Sequence, residues 1–563
     1  MAFFKEHPNR QRSRAGRIVR VFISFLVFLF VCGLALTIFL NRKLVENIKE
    51  QVSEATHGEY TLLMDKLKIN LLTHTVSVDN LIVAPSNRKA GTKAQYVFKA
   101  KVLRIVDFSI LAYLRKDDLI IDKIEFEAPE IAIFQGSERL PKKKGTPAEN
   151  ISLYAAISKK LNSVSIGHID IMNFKFNLYK HGTDTLSVFS TNDNSISIKN
   201  FKINKETDLT NRLFFAEKFE MVMNKFSYHP GGGLYTLHGK RLHASYFDST
   251  LTVDSLMLVP NFSKKEFADE AGQQVSRVNL AFSKMHCQKM DVKLFFEYNW
   301  LVIHKVELSD FVIDVFRDNT LPLKPIVRPS LQTMIRNLPF FVAVDTIEMK
   351  NGAAVFQVDN PGQTVMGKVN IDKMNVSVTG IQNDTTSYTD ESSIKITFNG
   401  YLMNQGKFYE SYTFPLNVSD DKEFFHCTGS LGPMPLATFN PMIGPAKQLQ
   451  IKSGQLDALS FSFVARGNSS DGTMKFLYHD LQVEVLNKDG EKSGLKEDML
   501  SFLANRMVVK DSNPGKDGVV RISKLHADHN PYRYFLFYSM QTLFSGIAPA
   551  IGGENATRMS RKK

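Results

Sequence analysis

At 563 residues the chain can hold several globular domains or one extended architecture, and with 43% hydrophobic and 23% charged residues it is not disordered by composition. The formal net charge of +13 invites a nucleic-acid reading, but the charge sits at the two ends. Residues 1–20 carry Lys5, Arg10, Arg12, Arg14, Arg17 and Arg20 against Glu6, and the tail carries Arg558, Arg561, Lys562 and Lys563. The body between them lacks the concentrated basic face that phosphate recognition needs, so nucleic acid is not an expected partner.

The basic segment 1–20 precedes "VFISFLVFLFVCGLALTIFL", residues 21–40, which carry no charge. Roughly 20 apolar residues at 1.5 Å each span a hydrocarbon core of about 30 Å. This length, with Arg42 and Lys43 following directly and no small-residue cleavage site, reads as an uncleaved anchor rather than a signal peptide. Positive residues stay in the cytoplasm, which places the bulk of the chain across the membrane. Cys32 lies inside the span, without a lipoprotein processing site before it. The remaining Cys287 and Cys427 are too few for a disulfide framework, which fits a bacterial periplasm, and one bond between them stays open.

Residues 41–59 mix charged and apolar positions at helical spacing and read as a juxtamembrane helix. From Tyr60 the period changes to two, as in "TVSVDNLIVAP" at Thr75–Pro85. That stretch recurs as "TLTVDSLMLVP" at Thr250–Pro260, an offset of 175. "IIDKIEFEAPEIAIF" at Ile120–Phe134 recurs as "VIHKVELSDFVIDVF" at Val302–Phe316, an offset of 182. "VSIGHIDIMNFKFNL" from Val164 recurs as "VAVDTIEMKNGAAVF" from Val342, an offset of 178, each with a break near Asn173 or Asn351. Near-constant offsets over about a hundred residues point to a duplicated unit, 60–235 and 236–410. A C-terminal β section at 411–531, an apolar helix at 532–553 and a basic tail at 554–563 follow. Short helices are expected at "VDFSILAYLRKDD", "ISLYAAISKKL", "RPSLQTMIRNL" and "LKEDMLSFLANRM".

Catalytic patterns are missing. His526 and His529, three apart in "HADHNPYR", read as a polar connection rather than a metal site. "HPGGGLY" at 229–235 lacks the Lys-Ser/Thr of a phosphate loop and reads as a turn. Glu125 and Glu127 share one strand face and read as solvated. The pairs Lys123/Glu125 and Lys305/Glu307 read as exposed cross-strand partners. No enzyme, cofactor or metal is expected.

One-faced alternation over hundreds of residues predicts a mainly β fold. The expected form is an elongated, curled, antiparallel-type sheet, a groove, with short helices after one transmembrane helix. Its apolar face runs through Ile124, Phe126, Ile131 and Ile133 and through Val306, Leu308, Ile313 and Val315. In the last section Leu459, Phe461 and Phe463 continue it, opposite Ser460 and Ser462. The pattern fits either a sealed core or an open trough that holds acyl chains. The segment 532–553 fits a helix packed on the end of the sheet or one that touches a membrane or a partner.

The basic N-terminus with one anchor, "LKINLLTHTVSVDNLIV", "LIIDKIEFEAPEIAIF" and "GQLDALSFSFVARGNSSDGTMKFLYHDLQVEVL" together resemble the AsmA-like, or repeating β-groove, proteins of bacterial envelopes over roughly residues 20–550. The resemblance implies an inner-membrane-anchored periplasmic groove with an apolar lining. It would be associated with phospholipid movement toward the outer membrane and with envelope integrity. A phospholipid or other acyl-chain lipid is then the expected partner, with a further outer-membrane or periplasmic protein at the C-terminal end. An assembly or translocation factor for outer-membrane or secreted proteins, and a structural tether, are the alternatives.

Overall fold

The computed structural model describes residues 46–552, except 47–48, 51, 55, 71–72, 88–93, 136–153, 155–157, 159–160, 181–186, 211–214, 362–364, 448 and 486–508. The expected anchor at 21–40, the basic ends and most of "ISLYAAISKKL" and "LKEDMLSFLANRM" lie outside the described residues. Within them the fold is mainly β, with 23 strands in mixed pairing. The chain divides into two compact units, one running to Leu256 and including His286–Val302, the other comprising Met257–Met285 and Ile303 onward. This division does not coincide with the repeat boundaries expected at 235 and 410.

In the first unit, Thr75–Pro85 runs antiparallel to Gln95–Phe108, which pairs antiparallel with both Asp118–Glu127 and Glu130–Phe134. These two short strands lie end to end, split at Ala128–Pro129, and both run parallel to Ser163–Tyr179. From there Ser187–Ile203, Lys218–Tyr228 and Tyr235–Ser245 continue antiparallel. "HPGGGLY" is the turn of the last hairpin, with Gly232 and Gly233 at φ 104° and 70°, values that favour glycine.

The second unit repeats the scheme. Val312–Asp318 is antiparallel to Ser276–Ala281 and parallel to Val342–Asp359, and an antiparallel series then runs through to Ile522–Asp528. The sheet is therefore mixed, which corrects the antiparallel-type expectation. Alternation reports which face a residue occupies and is blind to strand direction, so a parallel return leaves no mark in the pattern.

The repeated sequence blocks carry the same local devices. Left-handed residues recur in pairs at the sequence offsets: His74 and Ser249, Asn80 and Ser255, Asp107 and Lys289, Asp117 and Asn299, Ala128 and Asp310, Asn173 and Asn351. Just before the first strand of each split pair a short helix forms. In Ile110–Lys116 the Ser109 hydroxyl accepts from the Ala112 amide, and in Val292–Tyr298 the Asp291 carboxylate accepts from Leu294. Both helices end in a left-handed cap, Asp117 or Asn299. At the break, Lys175 N–H donates to Pro129 O and Ala353 N–H donates to Phe311 O, each at 2.8 Å.

Left-handed residues also mark a line of bulges across the first unit. Ala128, Asn173, Asp193 and Lys225 follow one another across neighbouring strands, and the ladder registers shift beside Asn173 and Asp193. One extra residue per strand keeps the same face inward on both sides of the break. The spacing of buried residues therefore steps from two to three, as from Ile171 to Phe174 and from Thr191 to Asn194. Buried Asn194 pins the line, donating to Phe174 O at 2.7 Å and accepting from the Asn224 amide at 2.9 Å.

Candidate functional site

Register turns the apolar positions of single strands into rows that cross them. In the first unit one row joins Val78, Leu103, Phe126, Ile171, Ile196, Met221 and Ala244, one residue from each of seven paired strands. At about 4.8 Å per strand it extends roughly 29 Å, near twice the hydrocarbon depth of one bilayer leaflet. A second row runs from Val76 through Ile105, Ile124, Ile169 and Ile198 to Phe219. Beyond the bulges, Ile131 pairs with Phe98 and Phe176, and Ile133 with Tyr96 and Leu178.

In the second unit a comparable row joins Ile347, Val378, Ile396, Tyr412, Cys427 and Phe463. Phe461 belongs to the neighbouring row, beside Gly429, whose missing side chain leaves room for the Phe461 ring.

Of the residues singled out from the sequence, Ile124, Phe126, Ile133, Val306, Leu308, Phe461 and Phe463 are buried, while Ile131, Ile313, Val315 and Leu459 are half-buried. Phe98 meets Phe126 edge to face at 6.0 Å. On the strands Ser187–Ile203 and Lys218–Tyr228 the first row becomes half-exposed at Ile196 and Met221, as is Phe189, while the second stays buried at Ile198 and Phe219. Ile196 and Met221 were missed from the sequence because alternation within a strand does not say which residue stands opposite Ile171.

The opposite face carries ion-pair ladders. Lys123 Nζ lies 2.7 Å from Glu125 and 3.3 Å from Asp170, and Lys305 Nζ lies 3.1 Å from both Glu307 and Glu348. Lys305 and Lys350 hold the Glu307 carboxyl below the usual carboxylate range, and the carboxylates of Glu307 and Glu348 raise Lys305. Pairs this accessible to water add little stability each.

This outer face also holds a cavity of about 320 Å³ against Ile82, Val97, Lys99, Glu130, Phe134 and Tyr179. Phe134 and Tyr179 stack at 4.9 Å across it. Phe134, Ala132 and Glu130 alternate along the strand with Ile133 and Ile131, but Ile131, one of the apolar positions expected from the sequence, also lines this cavity.

The apolar face also carries polar groups. Glu410 is one, its Oε2 accepting from the Tyr412 hydroxyl at 3.0 Å, and burial pushes its carboxyl up. Cys287 and Cys427 are both free and buried, and burial pushes the Cys287 thiol up to about 11. A thiol held protonated is a poor nucleophile and a poor metal ligand.

His526 and His529 serve separate contacts, His526 with Asp471 at 2.9 Å and His529 with Gly467 O at 2.9 Å. Among the described residues no group of three or more His, Cys, Asp or Glu is placed to hold a metal ion.

The C-terminal helix Phe535–Gly552 lies against the strands Ile522–Asp528 and Ser469–Val485. Its inner side is mostly small: Ser539, Thr542, Gly546 and Ala550 are buried, and the Thr542 and Ser470 hydroxyls meet at 2.6 Å. Phe535 and Tyr538 insert from its first turns among Tyr412, Phe414 and Phe425. No helix among the described residues is long and apolar enough to cross a membrane.

Compared with protein-family models and with curated proteins, the chain matches none.

Proposed function

We propose that this chain is a membrane-anchored, non-enzymatic β-groove protein of the AsmA-like kind, which binds phospholipid acyl chains and conducts them between the membranes of a bacterial envelope. The supporting observation is the row through Phe126, Ile171, Ile196 and Met221, apolar on seven successive strands. Such a row presents no hydrogen-bonding side chain to a hydrocarbon, so an acyl chain crossing strands loses little on leaving the bilayer. Headgroups would stay at the rim, in water. In this reading the duplicated blocks lengthen the lined face, the anchor is residues 21–40, and the body stands in the periplasm, where it supports outer-membrane integrity.

The test is photocrosslinking in cells that make the full chain. A photoreactive phenylalanine analogue at Ile196 or Met221 is expected to yield phospholipid adducts by mass spectrometry. The same analogue at Ser197 or Glu220, which are next to them in sequence and on the other face, is expected to yield none. Equal labelling of both faces, or no lipid on either, would sink the reading.

A further inference from the structure

The C-terminal helix is built inside out. A helix on a sheet ordinarily turns its large apolar side chains inward. Here Leu536, Phe537, Met540 and Phe544 are 45%, 40%, 50% and 49% exposed, whereas the opposite side is buried through Ser539, Thr542, Gly546 and Ala550. Around Gly546 the helix approaches closely, and a Cβ there would overlap the Leu525 side chain of the strand beneath, while Phe535 and Tyr538 fill the inner side at the helix start. The exposed residues fall at i, i+1, i+4 and i+8, one continuous stripe. An apolar stripe on the outside is expensive in water and marks a contact surface.

Charge decides what it contacts. From Phe535 to Gly552 there is no acidic or basic residue. The N-terminal end of the stripe is bounded by two guanidiniums. Arg533 lies 5.0 Å over the Phe537 ring and Arg328 lies 5.3 Å over Tyr534, which is itself 50% exposed. Arg328 N–H donates to Pro531 O at 2.7 Å, which brings exposed Ile326 and Val327 to the same end.

Among the described residues neither arginine has a carboxylate partner. Arg533 shares the Gln274 side-chain oxygen with Arg317, and its Nε and Nη1 are buried without a hydrogen-bond acceptor, so its guanidinium is packed under the helix end, whereas Arg328 is half-buried. Beyond the helix, Arg558, Arg561, Lys562 and Lys563 face a single acid, Glu554. Apolar stripe, aromatic residues and uncompensated cations at one edge are the composition of a helix lying in a membrane interface.

We infer that the C-terminal helix is an interfacial anchor for an anionic phospholipid surface. Leu536, Phe537, Met540 and Phe544 enter the boundary between headgroups and acyl chains, and Arg328 meets the phosphates. The inference stands apart from the groove reading: a body without any lipid in its apolar rows would still dock this way.

The test uses the full chain carrying Phe544→Trp, reconstituted in vesicles whose acyl chains are brominated and quench tryptophan on contact. Trp300 is the one native tryptophan and is buried, so it supplies a constant background. In vesicles of equal phosphatidylcholine and phosphatidylglycerol the added emission is expected to shift to the blue and be quenched. Replacing Arg328 by Gln is expected to weaken association of the helix with these vesicles roughly fivefold, from one surface cation.

Leu536→Ser and Met540→Ser, which change exposed positions only, are expected to lower the quenching while circular dichroism melts stay unchanged and certify the fold. Emission unquenched in either lipid composition overturns the inference. So does quenching that is equal in pure phosphatidylcholine and untouched by Arg328→Gln. If Leu536→Ser instead dissociates an oligomer without altering quenching, the stripe is a protein interface and the inference fails.

Discussion

The ring of Phe311 occupies the space that a side chain on Gly352 would need: a Cβ built there would overlap the ring. Phe311 is 1% exposed, at the break between Leu301–Ser309 and Val312–Asp318, and its carbonyl accepts from Ala353. In the first unit the same hydrogen bond joins Pro129 and Lys175, and the position equivalent to Gly352 is Phe174, buried at 4%. The bulk has changed strands between the two copies of the crossing. Each site needs one large residue and has room for one.

Gly352→Ala is therefore expected to destabilise the second unit by about 1–3 kcal/mol through overpacking. Adding Phe311→Leu should recover part of that loss, although Phe311→Leu alone is destabilising. Chemical denaturation of the four proteins in a double-mutant cycle checks it. Additive losses would show that the two residues do not share the space.

The bulge line supplies a second expectation. Asn194 is 1% exposed and satisfies Phe174 O and the Asn224 amide, while accepting from the Thr191 hydroxyl. Asn194→Ala would strand these buried groups without partners, at a cost of about 2–4 kcal/mol. Denaturant midpoints measure the loss, and hydrogen exchange should locate faster opening at Asn224.

Glu410 gives a pH dependence. It lies in the row between Phe398 and Gly429, and burial raises its carboxyl, with the Tyr412 hydroxyl pulling weakly the other way. A carboxyl whose folded pKa exceeds its unfolded value favours the folded state while protonated. That advantage is lost as pH rises from the unfolded value through the raised folded one. Glu410→Gln should therefore raise the melting temperature at neutral pH and leave it nearly unchanged at about pH 3, below the ordinary glutamate range. A lower melting temperature for the variant at neutral pH would reverse the assignment.

Much of this was legible in residue order. Alternation told Ile124 and Phe126 from Lys123 and Glu125. The recurrence of "VDNLIVAP" as "VDSLMLVP" marked matching strands, and the breaks read at Asn173 and Asn351 are left-handed positions where the ladder shifts. These are local properties, since a strand's two faces and a left-handed residue are set within a few residues of chain. The same order left Pro129 as a mere interruption, whereas it separates two strands that both run parallel to Ser163–Tyr179.

The sequence by itself determined which side of the strands is apolar and that one block occurs twice. Only the tertiary structure decided that Phe126 stands between Leu103 and Ile171, that Asp118–Glu127 runs parallel to Ser163–Tyr179, and that Phe544 faces out while Gly546 faces in. Strand direction and register are settled by hydrogen bonds between segments far apart in the chain. The inward side of the last helix is settled by its packing on the strands, with Tyr538 inserted among the core aromatics and Gly546 close against Leu525.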